Sequence, residues 1–246
     1  MSDCVENGKS RNPSWNELIN KLKAELNISE KENDFLKIAQ LFYLKYVEEK
    51  NIKGYYKKIE ESINYDIEPS EIHKLLFQIN PNTIITTNWD IVLEKTAVET
   101  GYIYDVIKKD EDLVNSHLSQ KIIKMHGDLK AKNIVFKEDD YINYKDNFPL
   151  IENYIKSILS TNTILFLGYS YNDINLKQIT KWLQNKSKHR PKMFLLMFEK
   201  NEAQEIYLKN HGIEVILLDE NIETNIKYND KSNRTLYFLN EIKNRN

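Results

Sequence analysis

Polar residues that could bind or activate a substrate follow three apolar segments of this chain. The first group, Thr86-Thr87-Asn88-Trp89-Asp90, directly follows the apolar run Thr83-Ile84-Ile85, and an amphipathic segment comes next. This order predicts a strand that delivers an amide and a carboxylate to the end of a sheet. In open α/β sheets, ligands bind at the carboxyl ends of the strands. We therefore predict a site that contains Asn88 and Asp90.

Helix capping is the structural alternative for this pair. An Asn or Asp before a helix accepts hydrogen bonds from free backbone amides and stabilises the helix by about 1 kcal/mol. One residue is enough for that task, whereas the segment offers Asn88, Asp90 and the hydroxyls of Thr86 and Thr87. The composition of the turn favours a functional site, with capping as the role of one of its residues.

A histidine follows the second apolar segment. His126 comes after Ile122-Ile123-Lys124-Met125 and before Gly127, and a glycine there lets another backbone approach closely. Imidazole groups ordinarily titrate at about pH 6.5, which suits a general base at neutral pH. The alternative is a turn histidine that bonds a neighbouring carbonyl. The presence of Asn88 in the same predicted rim favours the catalytic interpretation.

The third group is Gly168-Tyr169-Ser170 together with Asp173. The apolar run Ile164-Leu165-Phe166-Leu167 ends at the glycine, and a helical pattern begins near Asn172. Backbone amides at the start of a helix, joined by a hydroxyl, are suited to a phosphate. An ordinary turn in which Ser170 or Asp173 caps the helix is the alternative.

Glu199 ends a further apolar run, and a carboxylate at that position could bind ribose hydroxyls. The alternative is that Glu199 is an ordinary turn residue.

The residue types of this chain do not favour a metal site. Cys4 is the only cysteine and the five histidines are scattered, so we predict neither an internal disulfide nor a metal site.

Bulk composition narrows the class of protein. The 246 residues carry a net charge of −2, so no basic field favours nucleic acid or anionic lipid, and we predict no nucleic-acid partner. No apolar run approaches the roughly 20 residues needed to cross a membrane. Polar residues follow Met1, so we expect no signal peptide and a cytoplasmic protein.

The elements that must position these residues fall into two parts. Up to about residue 80 every periodic segment predicts a helix, and Ser14 with Glu17 forms a capping box for the first one. After Pro81 the pattern alternates between strand and helix, which predicts a doubly wound, mostly parallel, Rossmann-like α/β sheet. The predicted strands are 83–87, 103–107, 121–125, 163–168, 192–198 and 213–218. The predicted helices lie near 90–100, 138–145, 148–160, 172–185, 200–211 and 232–243. Several of these strands are continuous apolar runs, which predicts burial on both faces.

The motifs together resemble the sirtuin superfamily, and in particular the zinc-less sirtuin-like domains that hydrolyse NAD in bacterial anti-phage defence. The resemblance runs from about Pro13 to about Leu218. It is carried by Pro13-Ser14-Trp15, by 86–90, by Lys-Met-His-Gly-Asp at 124–128, by Asp140-Tyr141 and by Gly-Tyr-Ser-Tyr-Asn-Asp at 168–173. Each motif is short, but their order and spacing are specific as a set.

The resemblance implies a role for each residue. Asn88 matches the asparagine that orients the nicotinamide-side ribose and the attacking water, Asp90 the acid near the carboxamide, and His126 the catalytic base. Gly168 and Ser170 match the loop that touches phosphate and ribose. The resemblance implies NAD as the substrate. Without a cysteine quartet for zinc, water is the expected acceptor, with nicotinamide and ADP-ribose as the expected products. The predicted NAD-binding residues are Thr86, Thr87, Gly168, Ser170, Asp173 and Glu199.

One departure from the family pattern stands out. The family begins with a central strand and a Gly-Ala-Gly-x-Ser loop that holds the pyrophosphate, whereas this chain starts at about the point where that loop would end. We therefore expect a longer amino terminus in the natural protein, or another segment or chain in that position. Within the given sequence we predict one sirtuin-like domain over 1–246, with a helical module at 13–80, a Rossmann-like core at 81–220 and a carboxyl-terminal helix at 221–246.

Three functions follow from this interpretation. The first is an NAD hydrolase of phage defence, held silent by oligomerisation or by a partner protein. The second is a catalytically silent module that binds NAD or another nucleotide and signals to a partner, and the absent glycine loop favours it. A deacylase or ADP-ribosyltransferase is the third, and it would need a peptide cleft.

Overall fold

The structure of the chain is a computed structural model that describes residues 11–29, 31–186, 191–218 and 229–245. Cys4 and the rest of residues 1–10 lie outside this part, as does 219–228, where the predicted core and the carboxyl-terminal helix were expected to meet. The predicted division into 13–80, 81–220 and 221–246 stays a prediction.

The described chain is helical before the first strand, as predicted. The capping box forms: the Ser14 hydroxyl accepts from the Glu17 amide at 3.3 Å, and the Glu17 carboxylate accepts from the Ser14 amide at 2.6 Å. Leu18, Ile19 and Leu22 of the first helix are buried against the second helix and its neighbours. The four helices are α1 (Trp15–Leu26), α2 (Phe35–Glu48), α3 (Ile52–Ser62) and α4 (Glu71–Gln78).

All six predicted strands are present, and every limit lies within two residues of the predicted one. They are β1 (Thr83–Thr86), β2 (Asp105–Ile107), β3 (Lys121–Lys124), β4 (Ile164–Phe166), β5 (Met193–Met197) and β6 (Ile213–Leu217). Every described pairing is parallel, in the orders β1-β3-β2 and β4-β5-β6. The carboxyl ends of β1, β3 and β4 therefore carry the three predicted polar groups.

Helices follow the strands as the alternation predicts. They are α5 (Val92–Thr100), α6 (Asp110–Val114), α7 (Glu138–Ile142), α8 (Tyr144–Asn147), α9 (Pro149–Thr161), α10 (Ile174–Lys186), α11 (Glu202–Asn210) and α12 (Asp230–Arg245). Only α6 was not predicted. It is five residues long and buries none of them, so it leaves no apolar period in the sequence. Its first turn forms because Asp112 accepts from the Lys108 and Lys109 amides.

The two halves of the sheet are not paired with each other in the described residues. The free edges of β1 and β4 line a largely apolar cavity of about 340 Å³, to which α12 contributes Leu239 and Ile242. The cavity lies between the two halves of the sheet. The fold is accordingly Rossmann-like, with a gap between its two halves.

The gap corrects one expectation about burial. The continuous apolar runs at 83–87 and 163–168 predicted strands buried on both faces, but only Ile84 is fully buried in β1, and no residue of β4 is. Both strands have an unpaired edge beside the cavity, which leaves their side chains partly accessible. The prediction holds best for β5, which is paired on both sides and buries three of its five residues.

Within the described residues no helix has the length and apolar character needed to cross a membrane.

Candidate active site

The polar groups predicted from the sequence converge on one cavity at the carboxyl ends of β1, β3 and β4. Its volume is about 570 Å³, within the range of small-molecule sites. The helical segment closes its other side with the starts of α1 and α2. The cavity is lined by Asn12, Pro13, Ser14, Trp15, Asn16, Leu18, Phe35, Leu36, Ile63, Thr87, Asn88, Trp89, Asp90, His126, Tyr141, Gly168, Tyr169, Ser170, Asn172, Asp173 and Ile174.

Asn88 follows β1 and keeps its side chain available. Its backbone amide donates to the Thr86 hydroxyl at 3.1 Å, which fixes the turn. Asn88 is partly buried, and its side-chain amide has no hydrogen-bond partner among the described residues. An N-cap would accept a bond from a helical amide, so the capping alternative does not describe Asn88 in this structure.

Asp90 takes the structural role instead. Its Oδ1 accepts from the Val92 amide at the start of α5, at 3.2 Å, and its Oδ2 accepts from Nδ2 of Asn12 at 3.1 Å. Burial raises the pKa of Asp90 and outweighs the amide of Val92 and the charge of Lys124, which act in the opposite direction. A buried carboxylate at the wall of the cavity is thus held in place from both sides.

Asn12 is a site residue that the sequence did not reveal. It lies 78 positions before Asp90 and ties that carboxylate to the helical segment, because its Oδ1 also accepts from the Asn64 amide at 2.6 Å. It immediately precedes the Pro13-Ser14-Trp15 motif. That adjacency was the only available signal.

His126 leaves β3 through a tight turn. Gly127 has φ +71°, and a Cβ atom there would lie 2.2 Å from the carbonyl oxygen of Asn133, so the predicted close backbone approach is present. The imidazole is 5% exposed, and the ring of Tyr141 packs edge-on against it at 5.5 Å between centroids. These contacts fix the ring at the wall of the cavity.

Asp173 faces His126 across the cavity. Its Oδ2 lies 3.0 Å from Nε2 of His126, which is close enough for an ion pair when the imidazole is protonated, although the geometry is not that of a hydrogen bond. Burial alone would raise the pKa of Asp173, but the opposing effect of His126 prevails and holds it below its ordinary value. The other oxygen, Oδ1, accepts from the Leu176 amide at 2.8 Å and starts α10.

The rest of the turn after β4, at residues 168–172, is largely exposed. Gly168 (φ +59°) and Tyr171 (φ +56°) adopt left-handed backbone conformations, which turn the chain sharply after β4. Gly168 and Ser170 are exposed, and the Ser170 hydroxyl accepts from Nδ2 of Asn172 at 3.1 Å. The turn thus presents backbone and one hydroxyl to the cavity, while Asp173 caps α10, as the capping alternative predicted. The phosphate contact stays a prediction.

Three buried polar atoms at the cavity lack hydrogen-bond partners. They are Nε1 of Trp89, Nε2 of His126 and the phenol oxygen of Tyr169. Buried polar groups in folded proteins are nearly always satisfied, so a cluster of exceptions at one cavity indicates a bound ligand or solvent. Trp89 lies in the motif at 86–90 and Tyr169 in the motif at 168–173, but the sequence did not predict either as a site residue.

Two predicted NAD-binding residues do not line this cavity. Thr86 supports the Asn88 amide and faces the cavity between β1 and β4. Glu199 is exposed after β5, which is separated from β1 by β4, so the geometry does not bring it to the other residues. In the described residues no group of three or more His, Cys, Asp or Glu side chains could hold a metal ion.

Comparison with known proteins fits this geometry. The SIR2-like domain family matches residues 82–216, which contain the three strand ends and all the predicted site residues. The chain belongs to the SIR2-like domain family. Residues 82–216 cover more than half of the sequence, and the match confirms the resemblance predicted from the motifs.

Similar curated proteins extend the match beyond the SIR2-like core. The chain is 33% identical to defense-associated sirtuin 2 of Bacillus subtilis over 231 residues, 85% of this chain and 22% of that protein. It is 33% identical to the NAD(+) hydrolase ThsA of Enterococcus faecium over 177 residues, 68% of this chain and 35% of the relative. It is 29% identical to the NAD(+) hydrolase ThsA of Acinetobacter baumannii over 201 residues, which are 78% of this chain and 38% of that relative. The chain therefore spans well under half the length of these relatives.

Proposed function

We propose that this chain hydrolyses NAD at the bond between nicotinamide and ribose, releasing nicotinamide and ADP-ribose. The observation that carries the proposal is that the Asn88 amide and Nε2 of His126, which make no hydrogen bond within the described residues, lie on the wall of one cavity in a SIR2-like domain. The names of the ThsA relatives, which are NAD(+) hydrolases, support the substrate.

In the proposed reaction a water molecule attacks the anomeric carbon of the nicotinamide-side ribose. The carbon–nitrogen bond breaks and its electron pair leaves on the nicotinamide nitrogen, while a proton of the water passes to His126. Asp173, 3.0 Å from Nε2, stabilises the imidazolium that forms. The transition state has oxocarbenium character, so a placed water and fixed negative charge lower its energy.

Other residues of the cavity bind rather than react. Asn88 holds the ribose and the water through its free amide. Each oxygen of Asp90 already accepts one hydrogen bond and has a second lone pair, so the carboxylate retains capacity for the nicotinamide carboxamide. Thr87, Gly168 and Ser170 lie along the wall that we assign to the phosphates and the second ribose.

The biological setting is part of the proposal. The name of the Bacillus subtilis relative, a defense-associated sirtuin, supports a role in bacterial anti-phage defence, in which depletion of cytoplasmic NAD halts the infected cell. An NAD hydrolase that is always active would harm its own host. We therefore propose that an oligomeric state or a partner protein gates the activity.

The gap in the sheet favours a second candidate function. The cavity between β1 and β4 lies beneath the turns that carry Asn88 and Gly168, so those turns have no sheet pairing between them. A site with that gap would bind a nucleotide without turning it over and would act as a sensor. Binding of NAD without release of nicotinamide separates this candidate from the first.

The test is product analysis by liquid chromatography and mass spectrometry. Purified chain incubated with NAD is expected to release nicotinamide and ADP-ribose in equal amounts, and Asn88→Ala to reduce the rate by about 100-fold or more. Asn115→Ala is the matched control, since Asn115 is exposed and its side chain donates to the Glu111 carbonyl, away from the cavity. A chain that neither binds NAD nor releases nicotinamide would refute both candidates.

A further inference from the structure

A fully buried lysine lies directly behind the cavity. Lys124 is the last residue of β3 and is 0% exposed. Four oxygen atoms surround its Nζ: Oδ2 of Asp128 at 2.6 Å, the Asp90 carbonyl at 2.7 Å, Oε1 of Glu94 at 3.1 Å and the Trp89 carbonyl at 3.2 Å. Burying a charge in this way costs desolvation energy that ion pairing often does no more than recover, so its presence calls for a role beyond stability.

The acceptors of Lys124 belong to two different turns. The Trp89 and Asp90 carbonyls lie in the turn after β1, next to Asn88, whereas Asp128 lies two residues after His126 in the turn after β3. One ammonium group therefore joins the chain segments that carry Asn88, the proposed ribose-binding residue, and His126, the proposed base. Trp89 also packs against Leu129 and Phe136, but no other side-chain hydrogen bond joins these two turns in the described residues.

Asp128 is itself held from several directions. It is 0% exposed and accepts from the Lys130 amide at 2.9 Å, the Ala131 amide at 3.2 Å and the Tyr65 hydroxyl at 3.2 Å. Lys108 adds a second positive charge at 3.6 Å. Burial would raise the pKa of Asp128, but Lys124 and Lys108 prevail and hold it below its ordinary value, so the carboxylate is charged at neutral pH.

Neither member of this pair lines the cavity of about 570 Å³. Lys124 and Asp128 therefore have no access to a bound substrate, and a direct catalytic role is ruled out by geometry. Their contacts act on the backbone on either side of Asn88 and His126.

We infer that Lys124 and Asp128 are positioning residues that set the Asn88 amide and the His126 ring at the distance the reaction needs. The inference rests on the proposed function for its kinetic consequence, but its structural consequence, a displaced His126, is independent of turnover. A misplacement of about 1 Å can cost about 100-fold in rate without altering binding much.

The test compares Lys124→Met with a matched control, Lys156→Met. Lys156 forms a largely buried pair with Glu152 on α9, with Nζ 2.7 Å from Oε1, and lies away from both turns. At a temperature where melting curves show both variants folded, Lys124→Met is expected to lower kcat by about 100-fold with KM within about threefold of wild type. Lys156→Met is expected to keep wild-type kcat. Asp128→Asn, which keeps acceptors for the amides, is expected to lose less, about tenfold, and provides the test should Lys124→Met not fold.

A second readout does not depend on activity. The imidazole ¹H–¹³C signal of His126, assigned by its absence in His126→Ala, is expected to move in Lys124→Met and to stay in place in Lys156→Met. The inference is overturned if folded Lys124→Met retains kcat within about twofold of wild type, or if both variants lose activity equally. Should wild type release no nicotinamide, the proposed function fails alone, and an unmoved His126 signal in Lys124→Met would then overturn the positioning role.

Discussion

The turns after β1 and β3 differ from the turn after β4 in how firmly they are held. Trp89, Asp90, His126 and Asp128 are each buried, and Lys124 joins the two segments from behind. The turn after β4, residues 168–173, has three exposed positions, and it is held where Tyr171 is buried against Thr180 and where Asp173 starts α10. Both regions border the same cavity, yet one is rigidly enclosed and the other is open.

This difference separates two tasks within the proposed function. Groups that must hold an orientation during a reaction, here Asn88 and His126, benefit from a rigid and poorly hydrated support. A diphosphate with several acceptor oxygens tolerates a looser contact made by backbone amides and a hydroxyl. We therefore expect substitutions in the turns after β1 and β3 to affect kcat, and those in the exposed part of the turn after β4 to affect KM.

The largest effect is expected at the proposed base. His126→Ala removes the proposed proton acceptor from the turn after β3 and should lower the rate of nicotinamide release by about 1,000-fold. His117→Ala, at an exposed position, should leave that rate unchanged. If the His126→Ala variant keeps a tenth of wild-type activity, His126 in the turn after β3 is not the catalytic base.

Next in size is the close backbone approach at Gly127. Gly127→Ala would force a Cβ to within 2.2 Å of the Asn133 carbonyl oxygen at φ +71°, and should destabilise the fold by about 3 kcal/mol. Gly101→Ala is the control, because its φ is +76° but no atom lies within 4 Å of the new Cβ, so only backbone strain of about 1 kcal/mol is expected. Chemical denaturation measures both. Equal losses would contradict the tight packing of the turn after β3.

A smaller effect is expected for Asp173, the residue of the β4 turn that lies beside His126. Asp173→Asn should lower kcat about tenfold, since the neutral amide no longer stabilises the imidazolium. The pKa of Asp173 is held below its ordinary value in the folded chain, so its charge stabilises the fold above that ordinary value and the contribution is lost as pH falls through the lower one. The stability difference between wild type and Asp173→Asn should therefore be larger at pH 7 than at pH 3. An equal difference at both pH values would contradict the ion pair.

The smallest effect is expected at Ser170, in the exposed part of the turn after β4. The Ser170 hydroxyl is exposed and its bond to Asn172 lies at the surface, so Ser170→Ala should raise KM for NAD about threefold or less and leave kcat unchanged. A steady-state titration of NAD measures both constants. A large loss of kcat would remove the contrast between the two regions.

Several features could be predicted from the sequence because they depend on local pattern. Strand positions follow from short β-branched and apolar runs, and the start of α1 follows from the Ser14–Glu17 capping box. The convergence of Asn88, His126 and Gly168 follows from their shared place at strand ends, given a parallel sheet.

Other features depend on contacts between distant segments. Sequence pattern could not decide which of Asn88 and Asp90 has the structural role, because the answer depends on Asn12 and on the amide of Val92. Nor could it show that Lys124 is buried, since a lysine at a strand end is ordinarily solvated. Glu199 followed the same strand-end rule as His126, but β4 separates its strand from β1.

The most direct test of the account is a crystal structure of His126→Ala, expected to be inactive, soaked with NAD. We expect the nicotinamide-side ribose within hydrogen-bond distance of the Asn88 amide and the diphosphate against Gly168 and Ser170. A dinucleotide bound away from the cavity formed by the turns after β1, β3 and β4, or no binding at millimolar NAD, would contradict the proposal that these three turns form one NAD site.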